Sequence, residues 1–198
     1  HNLPADIRPA VVAEPGHVFV RADLGQIEPR VLAAVSRDPS LAAATQTDDL
    51  YAPVATQLGV DRATAKVAVL GAMYGQTTGR GAQALRRLEA AYPVAMGYLR
   101  RADEAGQVGR DVRTYGGRLI RFGAVNANEV SERDARARAA AMGRYGRNAM
   151  VQGAAAELFK IWAVTVRARG RALDASVVLC LHDELLVLAP AERGEEVA

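Results

Sequence analysis

The chain has 198 residues, 25 of them basic and 22 acidic, and is 50% hydrophobic and 24% charged, which excludes bulk disorder and suits one domain or one lobe with an insertion. No apolar run approaches the roughly 18 residues of a membrane span, so none is expected. The single cysteine, Cys180, excludes an internal disulfide, and His1, His17 and His182 lack the spacing of a structural zinc site.

The start, His1-Asn2-Leu3-Pro4, has neither an initiator methionine nor a signal peptide, so the chain reads as a fragment of a longer protein. From His17 to Asp23, apolar and other residues alternate as in a strand. Ile27, Val31, Leu32 and Val35 follow helical spacing, with Pro29 tolerated in a first turn. Residues 48–58 read as a short helix, and Asp61 as the N-cap of a helix reaching Tyr74. A Gly/Thr loop spans Gly75 to Gly81. Two amphipathic helices, Gln83 to Tyr92 and Val94 to Ala105, flank Pro93. Arg113 to Ile120 reads as a hairpin turning at Gly116-Gly117. Ser131 to Gly143 and Met150 to Ala168 read as two further helices. Ser176 to Leu181 and Leu185 to Leu188 are apolar strand runs on either side of His182-Asp183-Glu184. No internal repeat is visible.

Charge is uneven. Between Arg110 and Arg171 lie 13 basic and 5 acidic residues. Such a block attracts polyanions through phosphate contacts and counterion release, or is simply a solvated helical face.

Three constellations carry chemistry. In Asp23-Leu24-Gly25-Gln26-Ile27-Glu28, an aspartate ends a strand, where burial is costly unless it is paired, and Gly25 allows a sharp exit into the next helix. Such an aspartate reads as a helix cap or as a catalytic group. His182-Asp183-Glu184 places two carboxylates between core strands, where they repel unless a cation or base is near; it reads as a structural turn or as a ligand set. Asp23 and Asp183, on two strands, can meet at neighbouring strand ends, and paired carboxylates suit Mg²⁺ shared with substrate phosphates. In the third constellation Arg62 and Lys66 share a helical face, followed by Leu70 and Tyr74. A polyphosphate would offset the repulsion of the two cations; an ordinary amphipathic helix is the other reading.

Together these motifs resemble the family A DNA polymerases, the bacterial DNA polymerase I type. Asp23-Leu24-Gly25-Gln26-Ile27-Glu28-Pro29-Arg30 is similar to motif A. Arg62-x3-Lys66-x7-Tyr74-Gly75 is similar to motif B, and His182-Asp183-Glu184 to motif C. Thr114-Tyr115-Gly116-Gly117-Arg118, Asn148-Ala149-Met150-Val151-Gln152-Gly153 and Asn2-Leu3-Pro4 add shorter matches in the family's order. The whole looks most like an actinobacterial group in which a 3′-5′ exonuclease-like domain precedes the polymerase.

The resemblance implies an α+β fold. A palm with a small antiparallel sheet packed on helices would span residues 1–37 and 113–198, with an all-helical fingers insertion at 38–112. Thumb and exonuclease domains have no counterpart here. It implies template-directed transfer of a nucleotide from dNTP to a primer 3′-OH. Asp23 and Asp183 would be catalytic and hold two Mg²⁺ ions, with the Leu24 carbonyl as a further ligand and Glu184 in a secondary role. Glu28 would be the steric gate against a ribose 2′-OH. Arg62 and Lys66 would hold the triphosphate, with Gln26, Tyr51, Leu70 and Tyr74 completing the dNTP site. Arg118, Asn148, Gln152, His182 and Gly75 would meet primer–template DNA, through degenerate minor-groove acceptors where bases are touched. The implied protein is a monomer without a membrane, cytoplasmic and nucleoid-associated. This sequence departs from the family at Leu24-Gly25, which replaces Tyr-Ser, at Leu70, which replaces an aromatic ring, and at Tyr51, which replaces a histidine and would supply the missing ring. Two alternatives are a non-catalytic nucleic-acid-binding module of the same shape and an RNA-synthesising single-subunit polymerase, the latter opposed by Gln26-Ile27-Glu28.

Overall fold

In the computed structural model, which describes residues 4–75, 81–123 and 131–198, the first strand, β1 (His17–Asp23), runs over the span its alternation predicts. A helical series follows: α1 (Ile27–Ser36), α2 (Pro39–Ala44), α3 (Tyr51–Leu58), α4 (Arg62–Tyr74), α5 (Gly81–Ala91) and α6 (Pro93–Gln107). A two-residue ladder joins β2 (Val112–Arg113) to β3 (Leu119–Ile120) around Gly116-Gly117. Then come α7 (Glu132–Gly170), β4 (Ser176–Leu181), β5 (Glu184–Pro190) and the short α8 (Gly194–Val197). The fold is α+β, with small antiparallel sheets among helices. Asn2-Leu3 and most of the 75–81 loop lie outside the described residues.

The described chain divides into two compact units, residues 1–25 with 158–198, and residues 26–157. This division by packing cuts at different places from the subdomain bounds 37/38 and 112/113 expected above. In the first unit the strands are ordered β1-β5-β4, both pairings antiparallel. β5 buries every second residue, Leu185, Val187 and Ala189, as a sheet with one covered face requires. Phe159, Trp162 and Val166 of α7 and Val20 of β1 pack on them. The Phe159 and Trp162 rings meet edge to face at 5.7 Å.

The second unit is helical, its core built from Leu32, Leu50, Val54, Met73, Leu88, Leu99 and Val151. Asp61 caps α4 as expected, accepting from the Thr64 N–H at 2.8 Å.

Two helical expectations need correction. The two helices expected between Ser131 and Ala168 are one helix of 39 residues. Gly143 and Gly146 read as a break because glycine weakens an isolated helix by about 1 kcal/mol. Here they are close-approach points: a Cβ on Gly143 would fall 2.1 Å from Asp103 Oδ1, and one on Gly146 2.6 Å from the Ala102 carbonyl. Packing against α6 outweighs the propensity cost. One 18-residue window of this helix also has mean hydropathy 1.2, enough by length and composition to cross a membrane. Glu157 within the helix is nevertheless committed to protein contacts, with Thr114 and the Gly116 N–H.

The second correction is α2, which went unanticipated although Asp38-Pro39 is an N-cap followed by a first-turn proline. Asp38 is 1% exposed. One carboxylate oxygen accepts from the Leu41 N–H at 3.0 Å; the other accepts from Val94 and Ala95, the first turn of α6, at 3.1 and 2.9 Å. One buried carboxylate thus serves two helix N-termini. Asp38→Ala strands three helix N-terminal donors, two of them buried, and should cost about 3 kcal/mol of stability. Urea denaturation of the variant checks this; a loss below about 0.5 kcal/mol would refute the double-cap role.

Candidate active site

β1 and β5 pair in continuous register from His17 opposite Pro190 to Asp23 opposite Glu184. β4 and β5 are joined by a two-residue turn, since Leu181 pairs with Glu184 and leaves only His182 and Asp183 between them. Beyond the last pair of β1 and β5, the Leu24 N–H donates to the Asp183 carbonyl at 2.9 Å. The first unit therefore brings Asp23, Leu24, His182, Asp183 and Glu184 to one sheet end.

Their electrostatics follow from this crowding. Desolvation, and next the negative charge of Asp183, push the Asp23 carboxyl above the usual carboxylate range, while Arg21 opposes the shift. The Asp23 side chain is 42% exposed, not buried as a strand-end position suggested. The base that the two carboxylates of the turn required is Arg21. Its guanidinium lies 2.7 Å from Glu184 and 3.8 Å from Asp23, and its own pKa is raised mainly by the hydrogen bond to Glu184. The sequence carried a signal for this, because residues 21 and 23 share a strand face.

Backbone strain marks the same sheet end. His182 has φ 54° in a tight hairpin where glycine or asparagine would fold at lower cost. The turn out of β1 is made at Gln26, φ 59°, rather than at Gly25. Non-glycine residues held in this region concentrate at functional sites.

Among the described residues no three His, Cys, Asp or Glu side chains converge as a ready-made metal cage. What the sheet end offers is a hard-oxygen donor set of two repelling carboxylates, Asp23 and Asp183, with Glu184 engaged by Arg21. That set suits a divalent cation completing its coordination with backbone oxygen, water or phosphate. The repulsion on Asp23 is what such a cation would relieve.

The second unit gathers another set. Along α4, Arg62 and Lys66 are exposed, Leu70 is half-buried against the core, and Tyr74 is 39% exposed. The Tyr74 hydroxyl donates to Glu28 at 3.1 Å, and Gln152 Nε2 donates to Glu28 at 3.3 Å and to the Tyr74 oxygen at 3.4 Å. Residues of three separate motifs thus form one hydrogen-bonded triangle. Burial, and next the Glu28 charge, raise the Tyr74 pKa. Gly75 ends α4 at φ 71°, and a Cβ there would fall 2.6 Å from the Arg144 side chain.

Tyr51 is 4% exposed within the core, its ring beneath the Arg62 guanidinium at 5.6 Å. Its face is therefore occupied by a cation rather than presented for stacking. Arg118 lies 3.8 Å from Glu157, and the Arg118 N–H donates to the Thr114 hydroxyl at 3.0 Å. The Asn148 side-chain nitrogen is buried and has no hydrogen-bond partner among the described residues. Sequence reasoning missed Asp49, Glu157 and Arg21. Glu157 gave no signal, because its partners lie 41 and 43 residues away.

The sheet end of the first unit thus brings two aspartates together, and α4 of the second unit carries two exposed cations and ends in Tyr74-Gly75. The sequence profile of DNA polymerase family A matches residues 1–198, and the chain belongs to that family. It is 37% identical to DNA polymerase I of Chloroflexus aurantiacus over 98% of this chain and 22% of that protein. It is 34% identical to the thermostable DNA polymerase I of Thermus thermophilus over 97% of this chain and 25% of that protein. The POL domain of Pol1 from M. smegmatis, solved in complex with DNA primer-template and dNTP, superposes with a TM-score of 0.74 at 26% identity. That match covers 96% of this chain and 37% of the other. The chain spans about a quarter or less of the length of these curated relatives. Polymerases of this family are metal-dependent.

The coupling of the aspartates is testable. Asp183→Asn should lower the pKa of Asp23, read by NMR titration of its carboxyl carbon. The sign for stability follows: a native pKa above the unfolded one means the folded state binds the extra proton, so stability falls as pH rises through the carboxylate range. That fall should shrink in Asp183→Asn. An unmoved Asp23 titration would show the two groups uncoupled.

Proposed function

We propose that the chain supplies palm and fingers to a DNA-directed DNA polymerase that extends a primer on a DNA template. The observation that carries this reading is the arrival of Asp23 beside Asp183 at one sheet end, in a chain matched along its whole length by the family. The M. smegmatis domain's complex with primer-template and dNTP supports these substrates.

In this reading the 3′-oxygen of the primer bonds to the α-phosphorus of a dNTP, the bond from that phosphorus to the bridging oxygen breaks, and pyrophosphate leaves. The proton of the hydroxyl passes to solvent. Asp23 and Asp183, with the Leu24 carbonyl, would hold two Mg²⁺ ions, which would supply Lewis-acid stabilisation of phosphoryl charge. Arg62 and Lys66 grip the triphosphate oxygens, Arg62 as a fork and Lys66 as a point charge. Glu28 crowds the sugar 2′ position and is held for that task by Tyr74 and Gln152. Gln26, Leu70 and Tyr51 shape the nucleotide site from behind. Arg118, Asn148, Gln152, His182 and Gly75 border primer and template, and Glu184 stays with Arg21. The protein works as a monomer on nucleoid DNA in the cytoplasm.

Asp183→Ala in the full-length protein should abolish Mg²⁺-dependent primer extension while sparing DNA binding, measured by gel extension and fluorescence anisotropy. Extension within about tenfold of wild type would refute the metal assignment, given the orders of magnitude that charge stabilisation supplies. Glu28→Ala should raise ribonucleotide incorporation in a dNTP/rNTP competition; an unchanged ratio would count against the gate.

A weakened, DNA-binding polymerase shape is the second reading. It is favoured by Leu70, which carries no ring and packs against the core, and by Tyr51, whose ring lies under the Arg62 guanidinium. Metal-dependent dNTP binding by the full-length protein separates the two.

A further inference from the structure

We infer that Asp49 is a positioning residue for the triphosphate: it fixes the guanidinium fork of Arg62 by one edge and leaves the other edge for phosphate oxygens. The inference rests on the reading of Arg62 as a triphosphate ligand and adds a residue that no motif includes.

Geometry carries it. Asp49 takes the Nε–H and one Nη2–H of Arg62, at 2.5 and 3.1 Å. These two donors form the side edge of the guanidinium. The opposite edge, between Nη1 and Nη2, keeps its parallel donors, and Nη1 makes no hydrogen bond among the described residues. Such a pair of parallel N–H groups matches two oxygens of one phosphate. The Tyr51 ring lies beneath the same guanidinium at 5.6 Å. Arg62 is thereby restrained at one edge and on one face, and only its free edge remains for a ligand.

Asp49 is itself held in place. Its Oδ1 accepts from the Tyr51 N–H at 3.2 Å and from Gln26 Nε2 at 3.4 Å. The Gln26 Oε1 accepts from the Leu50 N–H at 2.9 Å, so one amide side chain braces the loop on both sides. The Arg30 guanidinium donates to the carbonyls of Thr45, Thr47 and Asp48 at 2.7 to 2.8 Å. Two residues that follow Asp23 in the sequence therefore set the loop that aims Arg62. The pKa shifts agree: the hydrogen bond from Arg62 holds Asp49 below the usual carboxylate range.

Stability does not account for this arrangement. The Asp49 and Arg62 side chains are 36% and 55% exposed, and exposed ion pairs add little to folding. What the pair accomplishes is a reduction in the rotamers open to a long side chain before a ligand arrives, so less order has to be imposed on binding.

The test uses the full-length protein, with dNTP and inorganic triphosphate as probes, measuring binding by calorimetry and KM and kcat in primer extension. Asp49→Asn should weaken both probes about tenfold, through KM rather than kcat, with affinity for primer–template DNA unchanged. Arg62→Ala should weaken them at least as much, and adding Asp49→Asn to Arg62→Ala should cost nothing further, because the carboxylate acts through that arginine. Unchanged or tighter binding in Asp49→Asn, with Arg62→Ala still impaired, overturns the positioning role and leaves the polymerase reading intact. An additive loss in the double variant overturns it too, since a purely structural loop defect would persist without Arg62. Unchanged triphosphate binding in Arg62→Ala sinks both the inference and the assignment of Arg62.

Discussion

Asp23 stands opposite Glu184 because β1 and β5 pair without a slip along seven residues. A shift by one residue would turn every side chain of β1 to the other face, carrying Asp23 away from Asp183 and Val20 out of the core. The buried alternation of Leu185, Val187 and Ala189 under Phe159 and Trp162 penalises that shift, so hydrophobic packing secures the placement of the carboxylates. The repulsion between them is the cost of that placement, offset in part by Arg21 and available to be relieved by a cation.

A comparable logic governs the helical unit. The groups on and around α4 do not stand as independent side chains on a helical face. Arg62 is gripped by Asp49 and underlain by Tyr51, and Tyr74 is tied to Glu28 and Gln152. Arg62, Tyr74 and Glu28 are each constrained by a residue from a different part of the chain. Such preorganisation lets electrostatic interactions act without reorganisation when charge develops.

Much of this was legible in the residues. β1 and β4 came from two-residue alternation and apolar runs, the cap at Asp61 from its side chain, and the hairpin from paired glycines, all local signals. The motif order identified the family. Where local reasoning failed, distant packing had prevailed: Gly143 and Gly146 sit inside a continuous helix because α6 needs their missing side chains. The expectation that Tyr51 stands in for a lost stacking ring met a ring already under a guanidinium, a contact between residues eleven apart with a turn between two helices separating them.

The sequence by itself determined the chemistry available: one aspartate ending a strand and one in the turn between two strands, a cationic helix ending in tyrosine and glycine, and a carboxylate five residues beyond the first aspartate. These are choices of residue type at short spacing, governed by strand and helix periods. The tertiary structure decided which groups are already engaged. Arg21 belongs to Glu184, Asp49 to Arg62, Glu28 to Tyr74 and Gln152, and Glu157 to Thr114 and Gly116. Side-chain hydrogen bonds reach only about 3 Å, so partners separated by many residues exist only once the chain has folded.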